Sequence, residues 1–268
     1  MVQVMMMRKG YWLLWAMILQ SVMPIANATG NLTLDIIQQC TRYQGADITG
    51  IAISHGTGKP LYCEYHYSSP DNIITTVEYW DDKQQLIVKK KLDFSTGLAS
   101  PSVDQQDFRH GERRQVSKQS DDWLLRYQPA NREGVTTPVV DKVLRTKKPI
   151  VVDAGFDKIV RQQWDVLVSG KAKVFRFASP IHGRTISLRV KRRQQERCLS
   201  RQYDQQKQIC YVIQPQSTLL RWFAKPLALV YDKATRRLLM FSGVVNITSD
   251  EGGDLSAAVY YQYRDDIL

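Results

Sequence analysis

The strongest constraint on the fold is a two-residue alternation of apolar and polar residues, interrupted by turn sequences. It is clearest in residues 61–67, 73–80 and 86–94, with Ser-Ser-Pro-Asp and Asp-Asp-Lys between them. Alternation of this kind is typical of antiparallel strands with one buried face. The same pattern recurs at 123–127, 173–178, 184–193, 209–213, 228–232, 237–247 and 255–263. The sequence therefore predicts one large antiparallel sheet, opening with a meander.

One segment follows a helical period instead. Between residues 154 and 169 the apolar residues recur at spacings of three and four, and they are Phe156, Ile159, Val160, Trp164, Leu167 and Val168. Asp153 is a suitable N-cap and Gly170 a suitable stop. A weaker helical pattern covers 34–43. We predict a mainly β or α+β fold, in which a large curved sheet or half-barrel carries one long helix on one face.

The first 28 residues have the pattern of a secretory signal peptide. Arg8 and Lys9 precede a short apolar run at 11–23, and Ala26 and Ala28 provide small residues at a cleavage site. An uncleaved anchor is the alternative, but the run is shorter than the roughly 20 residues that span a bilayer. We therefore expect cleavage after residue 28, a single β-rich domain at 29–268, and a periplasmic protein without a lipid anchor.

Four cysteines, Cys40, Cys63, Cys198 and Cys210, form two groups along the chain. In an exported protein an even number of cysteines favours disulfide bonds. Four cysteines permit three connectivities, and pairing within each group closes the smallest loops. We expect Cys40 to pair with Cys63 and Cys198 with Cys210. No Cys-x-x-Cys sequence occurs, which argues against a thiol oxidoreductase or a thiolate zinc site.

Positive charge is concentrated near the predicted strand at 184–193. The chain has 37 Lys and Arg against 26 Asp and Glu, and eight of the basic residues lie between 184 and 207. Alternation places Arg189, Lys191 and Arg193 on one face of this strand, away from Ile186 and Leu188. The face is either simply solvated or a contact for an anionic membrane surface. Export, and the scarcity of aromatic residues in this stretch, argue against nucleic acid as a partner.

Two stretches carry a resemblance to known sequences. They are VVDAGFDKIVRQQWDVLVSGKAKVFRF, at 151–177, and LVYDKATRRLLMFSGVVNI, at 229–247. Together they resemble uncharacterised exported proteins of Gram-negative bacteria. The resemblance covers about half of the chain after the signal peptide. It implies a periplasmic β-rich domain and assigns no activity and no functional residue.

None of the catalytic or phosphate-binding motifs considered is complete in this sequence. Ser54-His55-Gly56 is followed by Thr57 rather than a nucleophilic cysteine, and no P-loop, hydrolase elbow or zinc-protease motif occurs. Asp153, Asp157 and Arg161 could form a buried acid–base group. Structural roles explain them better: Asp153 as a helix cap, Asp157 as an acid in the first turn, and Arg161 as its i,i+4 ion-pair partner. We predict no catalytic residue, no metal site and no cofactor.

Aromatic residues on the predicted strands and helix indicate an apolar interior. The default explanation is ordinary core packing; the alternative is a trough for a lipid or acyl chain, lined by Phe156, Trp164, Phe175 and Phe177. Two hypotheses follow. The protein is a periplasmic binding or carrier module for an apolar or lipid ligand near an anionic membrane, or a non-enzymatic envelope assembly factor that binds a protein partner.

Overall fold

The protein forms one curled, unclosed antiparallel sheet, seen in a computed structural model that describes residues 40, 45–131, 138–193, 204, 206–218 and 226–266. Within these ranges the sheet has fourteen strands. They are β1 Ile48–Ser54, β2 Pro60–Ser68, β3 Ile74–Trp80, β4 Leu86–Asp93, β5 Ser102–Asp107, β6 Arg113–Gln119, β7 Asp122–Gln128, β8 Val140–Leu144, β9 Lys173–Ser179, β10 Arg184–Arg192, β11 Gln208–Pro215, β12 Leu227–Asp232, β13 Leu238–Thr248 and β14 Asp254–Tyr263.

The topology is a pair of meanders joined at the centre of the sheet. Strands β1 to β8 run in sequence order from the centre to one edge, and β9 to β14 return from the other edge. The meanders meet where β14 pairs with β1, with Ile51 opposite Tyr260 and Ala52 opposite Val259. Within each meander every strand pairs with the next strand in sequence, in the antiparallel direction that short turns favour. The predicted β-rich fold class is confirmed.

The strands predicted from alternation are all present, including the opening meander β2–β4 and strands β7 and β9–β14. Four further strands, β1, β5, β6 and β8, lie where the sequence pattern predicts none. Strand β1 is buried along most of its length, so it lacks a polar face. In β5 and β6 the inward positions include Gln105 and Arg114, so these strands lack the apolar alternation that marks a half-buried strand.

The predicted long helix is divided into two short ones, α1 Gly155–Gln162 and α2 Trp164–Val168. Gln163 separates them with φ −96° and ψ 15°, outside the α-helical range. The prediction that Asp153 caps the helix is wrong. Asp153 has φ +42°, Ala154 occupies the N-cap without a side-chain bond, and the carboxylate of Asp153 binds Lys90 of β4 instead.

The chain before α1 links the two arms of the curl. Val151 exchanges backbone hydrogen bonds with Arg176 and Ala178 of edge strand β9, and Val152 N–H donates to the Ala99 carbonyl at 3.0 Å. Ala99 belongs to the connection between β4 and β5. Gly155 is required here, because a Cβ at this position would overlap the Ala99 carbonyl oxygen. The close approach fixes where α1 enters the curl.

Two clusters of buried side chains fill the face of the sheet that carries the helices, here called the inner face. A third, smaller cluster lies on the outer face, where Cys40, Ala46, Ile51 and Tyr65 pack together. The Cys40–Cys63 disulfide holds this outer cluster, as predicted. Cys210 is also disulfide-bonded, but Cys198, its predicted partner, lies outside the described residues.

The predicted signal peptide at 1–28 and most of the weaker helix at 34–43 also lie outside the described residues. In the part of the chain that is described, neither helix has the length and apolar character needed to cross a membrane.

Candidate functional site

The inner face of the curl lines a cavity of about 510 Å³ beside α1, which is open to solvent on one side. This volume lies within the range of roughly 300 to 1,000 Å³ that small-molecule sites occupy. Residues from both meanders line the cavity, together with Val152 to Lys158 of the entering segment and α1. The curl is what makes the site, because strands far apart in the sheet order face one another across it.

One wall of the cavity is apolar and belongs to strands β10–β13. Its side chains are those of Leu188, Ile213, Leu227, Leu229, Leu238 and Phe241. On β10–β12 these positions follow the inward side of the alternation, so the sequence pattern that builds the sheet also builds most of this wall. The register places the wall's strands side by side, with Leu229 directly opposite Phe241. The wall is a continuous apolar surface several strands wide.

The opposite wall, on strands β2–β6, carries polar and charged side chains. A group of five residues here, which we call the polar bridge, joins this wall to β13 across the curl; it comprises Lys90, Gln105, Arg114, Asp153 and Asn246. The Asn246 carbonyl oxygen accepts hydrogen bonds from Gln105 Nε2 and Arg114 Nη1, each at 2.8 Å. The Asn246 side-chain amide donates to Asp153 Oδ2 at 3.3 Å.

The polar bridge contains a buried ion pair. Lys90 Nζ lies 3.0 Å from Asp153 Oδ1, and their side chains are 5% and 20% exposed. Burial by itself would raise the pKa of Asp153. The charge of Lys90 and the hydrogen bonds from Lys90, Ala154 and Asn246 outweigh burial and hold that pKa below its usual range. Asp153 is therefore a carboxylate that fixes the start of α1 to β4 and β13.

The other charged groups of the polar wall also contact neighbouring side chains. Arg114 binds Glu112, and the Glu64 carboxylate lies 3.2 Å from His66 Nε2. Burial raises the pKa of Tyr79 well above its usual range, so the hydroxyl stays protonated and donates to Asn246 Oδ1 at 3.4 Å. The wall thus offers a largely satisfied polar surface rather than a group of free charges.

Helix α1 adds two cations and one carboxylate to the cavity lining. Asp157 and Arg161 form the ion pair predicted from their i,i+4 spacing. Lys158 lies beside them, with its Nζ atom 5.5 Å from the centre of the Phe94 ring. Burial lowers the pKa of Lys158 and the charge of Arg161 lowers it further, whereas Asp157 acts in the opposite direction.

The four aromatic residues predicted to line a trough separate into two pairs. Phe156 and Phe177 line the cavity. Trp164 and Phe175 belong to the adjoining core, where Trp164 packs edge-on against Tyr211 and Tyr231, with ring centres 5.8 Å apart in each case. The sequence does not predict the polar bridge, because no local pattern brings its members together. The only sequence feature that indicates it is the polar residues at inward positions of β5 and β6.

The predicted basic face lies outside the cavity. Leu188 and Val190 point inward, so the alternating residues Arg189 and Lys191 lie on the outer face; Lys191 is exposed, and Arg189 and Arg193 are partly exposed. The wider segment 142–193 has fourteen Lys and Arg and only three Asp, a surplus of eleven positive charges. This equals the formal net charge of the whole chain, so the remaining residues sum to zero.

Two histidines, His55 and His110, contact hydroxyl groups of neighbouring side chains. Both ring nitrogens of His55 contact serine hydroxyls, those of Ser256 at 3.0 Å and Ser242 at 3.1 Å. Asp107 and Thr248 both contact the same nitrogen of His110, so this ring does not relay a proton between them. Among the described residues no three His, Cys, Asp or Glu side chains are grouped to hold a metal ion.

The fold and the site together define a curled-sheet protein with an internal cavity that is apolar on one side and polar on the other. Comparison of the sequence with protein-family models and with curated proteins found no match.

Proposed function

We propose that this protein is an exported binding or carrier module for an amphiphilic lipid-like ligand, held inside the curl. The observation that carries the proposal is the two-sided cavity, with the apolar wall of β10–β13 facing the polar wall of β2–β6. An acyl chain gains free energy by leaving water for the apolar wall. A polar headgroup keeps hydrogen-bonding partners along the polar wall.

The competing hypothesis is an envelope assembly factor that binds a protein through a sheet edge or its basic hairpin. Exposed valines on edge strand β8, Val140 and Val143, are compatible with such a role. A protein partner would not require an internal cavity with opposed walls. The lipid hypothesis is therefore the better supported of the two, and the content of the cavity distinguishes them.

We expect purified protein to carry an extractable apolar ligand and, once delipidated, to bind the fluorescent probe N-phenyl-1-naphthylamine saturably. Val244 is 40% exposed and lines the cavity, so Val244→Trp should narrow the site without disturbing the core. It should weaken probe binding about tenfold, equivalent to displacing roughly two methylene groups from the apolar wall. Native mass spectrometry with organic extraction, followed by probe titration, measures both.

The matched control is Val174→Trp, since Val174 is 49% exposed and does not line the cavity. This variant should bind the probe like the unmodified protein. Absence of both co-purified lipid and saturable probe binding would refute the carrier hypothesis and favour a protein partner. Equal weakening by both substitutions would refute the assignment of the ligand to this cavity.

We also propose that the basic outer face holds the protein near an anionic membrane. The support is the concentration of the entire net charge in 142–193, together with the outward position of Arg189 and Lys191. Charges of this kind act over a Debye length of about 10 Å at 0.1 M salt. The face would bring the cavity close to the surface that supplies its ligand.

Substitution of Arg189, Lys191 and Arg193 together by Gln should weaken binding to anionic vesicles roughly 100-fold, at about 1 kcal/mol for each residue near the surface. Flotation with phosphatidylglycerol vesicles at low and high salt measures the effect. The control replaces Lys59, Lys83 and Lys118, exposed lysines elsewhere, and should float like the unmodified protein. If the first variant floats like the unmodified protein, the basic face is only a solvated surface and does not bind the membrane.

A further inference from the structure

The charges around the cavity are almost all paired within the protein. Lys90 is paired with Asp153, Arg114 with Glu112 and Arg161 with Asp157, while Glu64 contacts His66. A charge that already has a partner inside the protein offers little to a ligand, because binding would require the existing pair to be broken or shared. An unpaired charge in the lining is therefore the best guide to the ligand's headgroup.

Lys158 is that unpaired charge. Its side chain is half-buried in the lining of the cavity, and its ammonium group has three N–H donors. Among the described residues it has no carboxylate at salt-bridge distance and no hydrogen-bond acceptor, and its ammonium group lies over the Phe94 ring, 5.5 Å from the ring centre. A cation partly removed from water without an acceptor is costly, and an anionic ligand group would remove that cost.

The surroundings of Lys158 favour an anion over a neutral polar group. Arg161 lies one turn further along α1 and also lines the cavity, so α1 contributes two cations to the lining and one carboxylate, that of Asp157, which is paired with Arg161. The apolar residues Phe156 and Phe177 lie in the same lining and provide contacts for the beginning of a chain. The surplus of one positive charge on this part of α1 disfavours a cationic group here.

We propose that Lys158, assisted by Arg161, binds the anionic headgroup, a carboxylate or a phosphate, of a single-chain amphiphile whose acyl chain lies along the wall of β10–β13. This inference rests on the proposed function and adds the charge of the ligand and the position of its headgroup. A free fatty acid and a phosphate-headed lipid share this chemistry.

Displacement of bound N-phenyl-1-naphthylamine by dodecanoate, dodecyl phosphate and dodecanol tests the proposal, since these share one chain and differ in the headgroup. The unmodified protein should bind the two anions about tenfold more tightly than the alcohol, as expected for one charge-assisted contact. Lys158→Gln should abolish that preference and leave the affinity for dodecanol unchanged. Lys158→Arg keeps the charge and should retain the preference.

Lys118→Gln, an exposed lysine on β6 outside the cavity lining, is the matched control and should retain the preference. Stronger binding of the phosphate supports the proposal with a phospholipid as the source, and stronger binding of the carboxylate supports it with a fatty acid. Equal binding of all three compounds, or a preference that survives Lys158→Gln, overturns the headgroup assignment alone. Failure of every compound to displace the probe overturns the proposed function itself.

Discussion

Replacing Asp153 by Asn is expected to destabilise the folded protein by about 3 to 5 kcal/mol, the cost of breaking a buried ion pair from one side. The substitution leaves Lys90 charged, 5% exposed and without its carboxylate. Asn tolerates the positive φ of this position, so the backbone strain stays the same and the charge alone changes. Urea denaturation of both proteins at pH 7 measures the loss.

Asp141→Asn is the control for this result. Asp141 forms an ion pair with Arg126 in which both side chains are more than two-fifths exposed, and such pairs contribute little. Adding Lys90→Met to Asp153→Asn removes the unpaired ammonium and should recover part of the lost stability. If Asp153→Asn is no more destabilising than Asp141→Asn, the polar bridge does not hold the curl together.

The same pair predicts a dependence of stability on pH. The folded-state pKa of Asp153 lies below its unfolded value, which is about 4. The stabilisation from ionised Asp153 is therefore fully present above that unfolded value and is lost as the pH falls through the lower folded value. Between pH 5 and pH 2 the unmodified protein should lose stability more steeply than Asp153→Asn, measured by the urea midpoint at each pH.

Replacing Trp164 by Ala is expected to cost about 3 to 5 kcal/mol, the range for removing a buried Trp from a packed core. Trp164 is 6% exposed and completes a cluster of three rings with Tyr211 and Tyr231, while the guanidinium of Arg236 lies 5.4 Å from the Trp164 ring centre. Urea denaturation measures this loss. If the dependence of the unfolding free energy on urea concentration is unchanged, the loss comes from the packing of the folded state.

Trp164 does not line the cavity, so the folded variant should bind the apolar probe as the unmodified protein does. Phe108→Ala removes a ring that is 48% exposed and should change stability little. Loss of probe binding with full stability would instead place Trp164 at the ligand. Unchanged stability and unchanged binding would show that α2 does not pack on β11 and β12.

Local patterns predicted most of the sheet but not the polar wall. Strand β3 alternates clearly because its inward side chains are mostly apolar. Strands β5 and β6 contribute Gln105 and Arg114 to the inner face, and both side chains bind the carbonyl oxygen of Asn246, more than 130 residues away in the chain. A buried polar residue is acceptable only with a partner, and that partner is not visible locally.

The helical segment was also only partly predictable from local patterns. Its spacing of three and four predicts one amphipathic face, and that face is present, but Gln163 interrupts the helix. As a result Phe156 reaches the cavity while Trp164 enters the core beside it. Asp153 has the composition of a cap, yet the stronger attraction of Lys90 takes its carboxylate away from the helix. Whether Asp153 binds Lys90 or caps the helix depends on the tertiary structure, because Lys90 is distant in the sequence.

Residue type and short spacing were enough to predict which strand faces are apolar, the amphipathic segment between 154 and 169, and the Cys40–Cys63 pairing. Three features became visible only in the fold: β13 faces β4–β6 across the curl, an apolar and a polar wall line one cavity, and Lys158 lies there with no carboxylate of the described residues at salt-bridge distance. The two kinds of information act over different distances along the chain. Side-chain periodicity is set over a few residues, whereas the curl brings together side chains that are separated by a hundred or more residues.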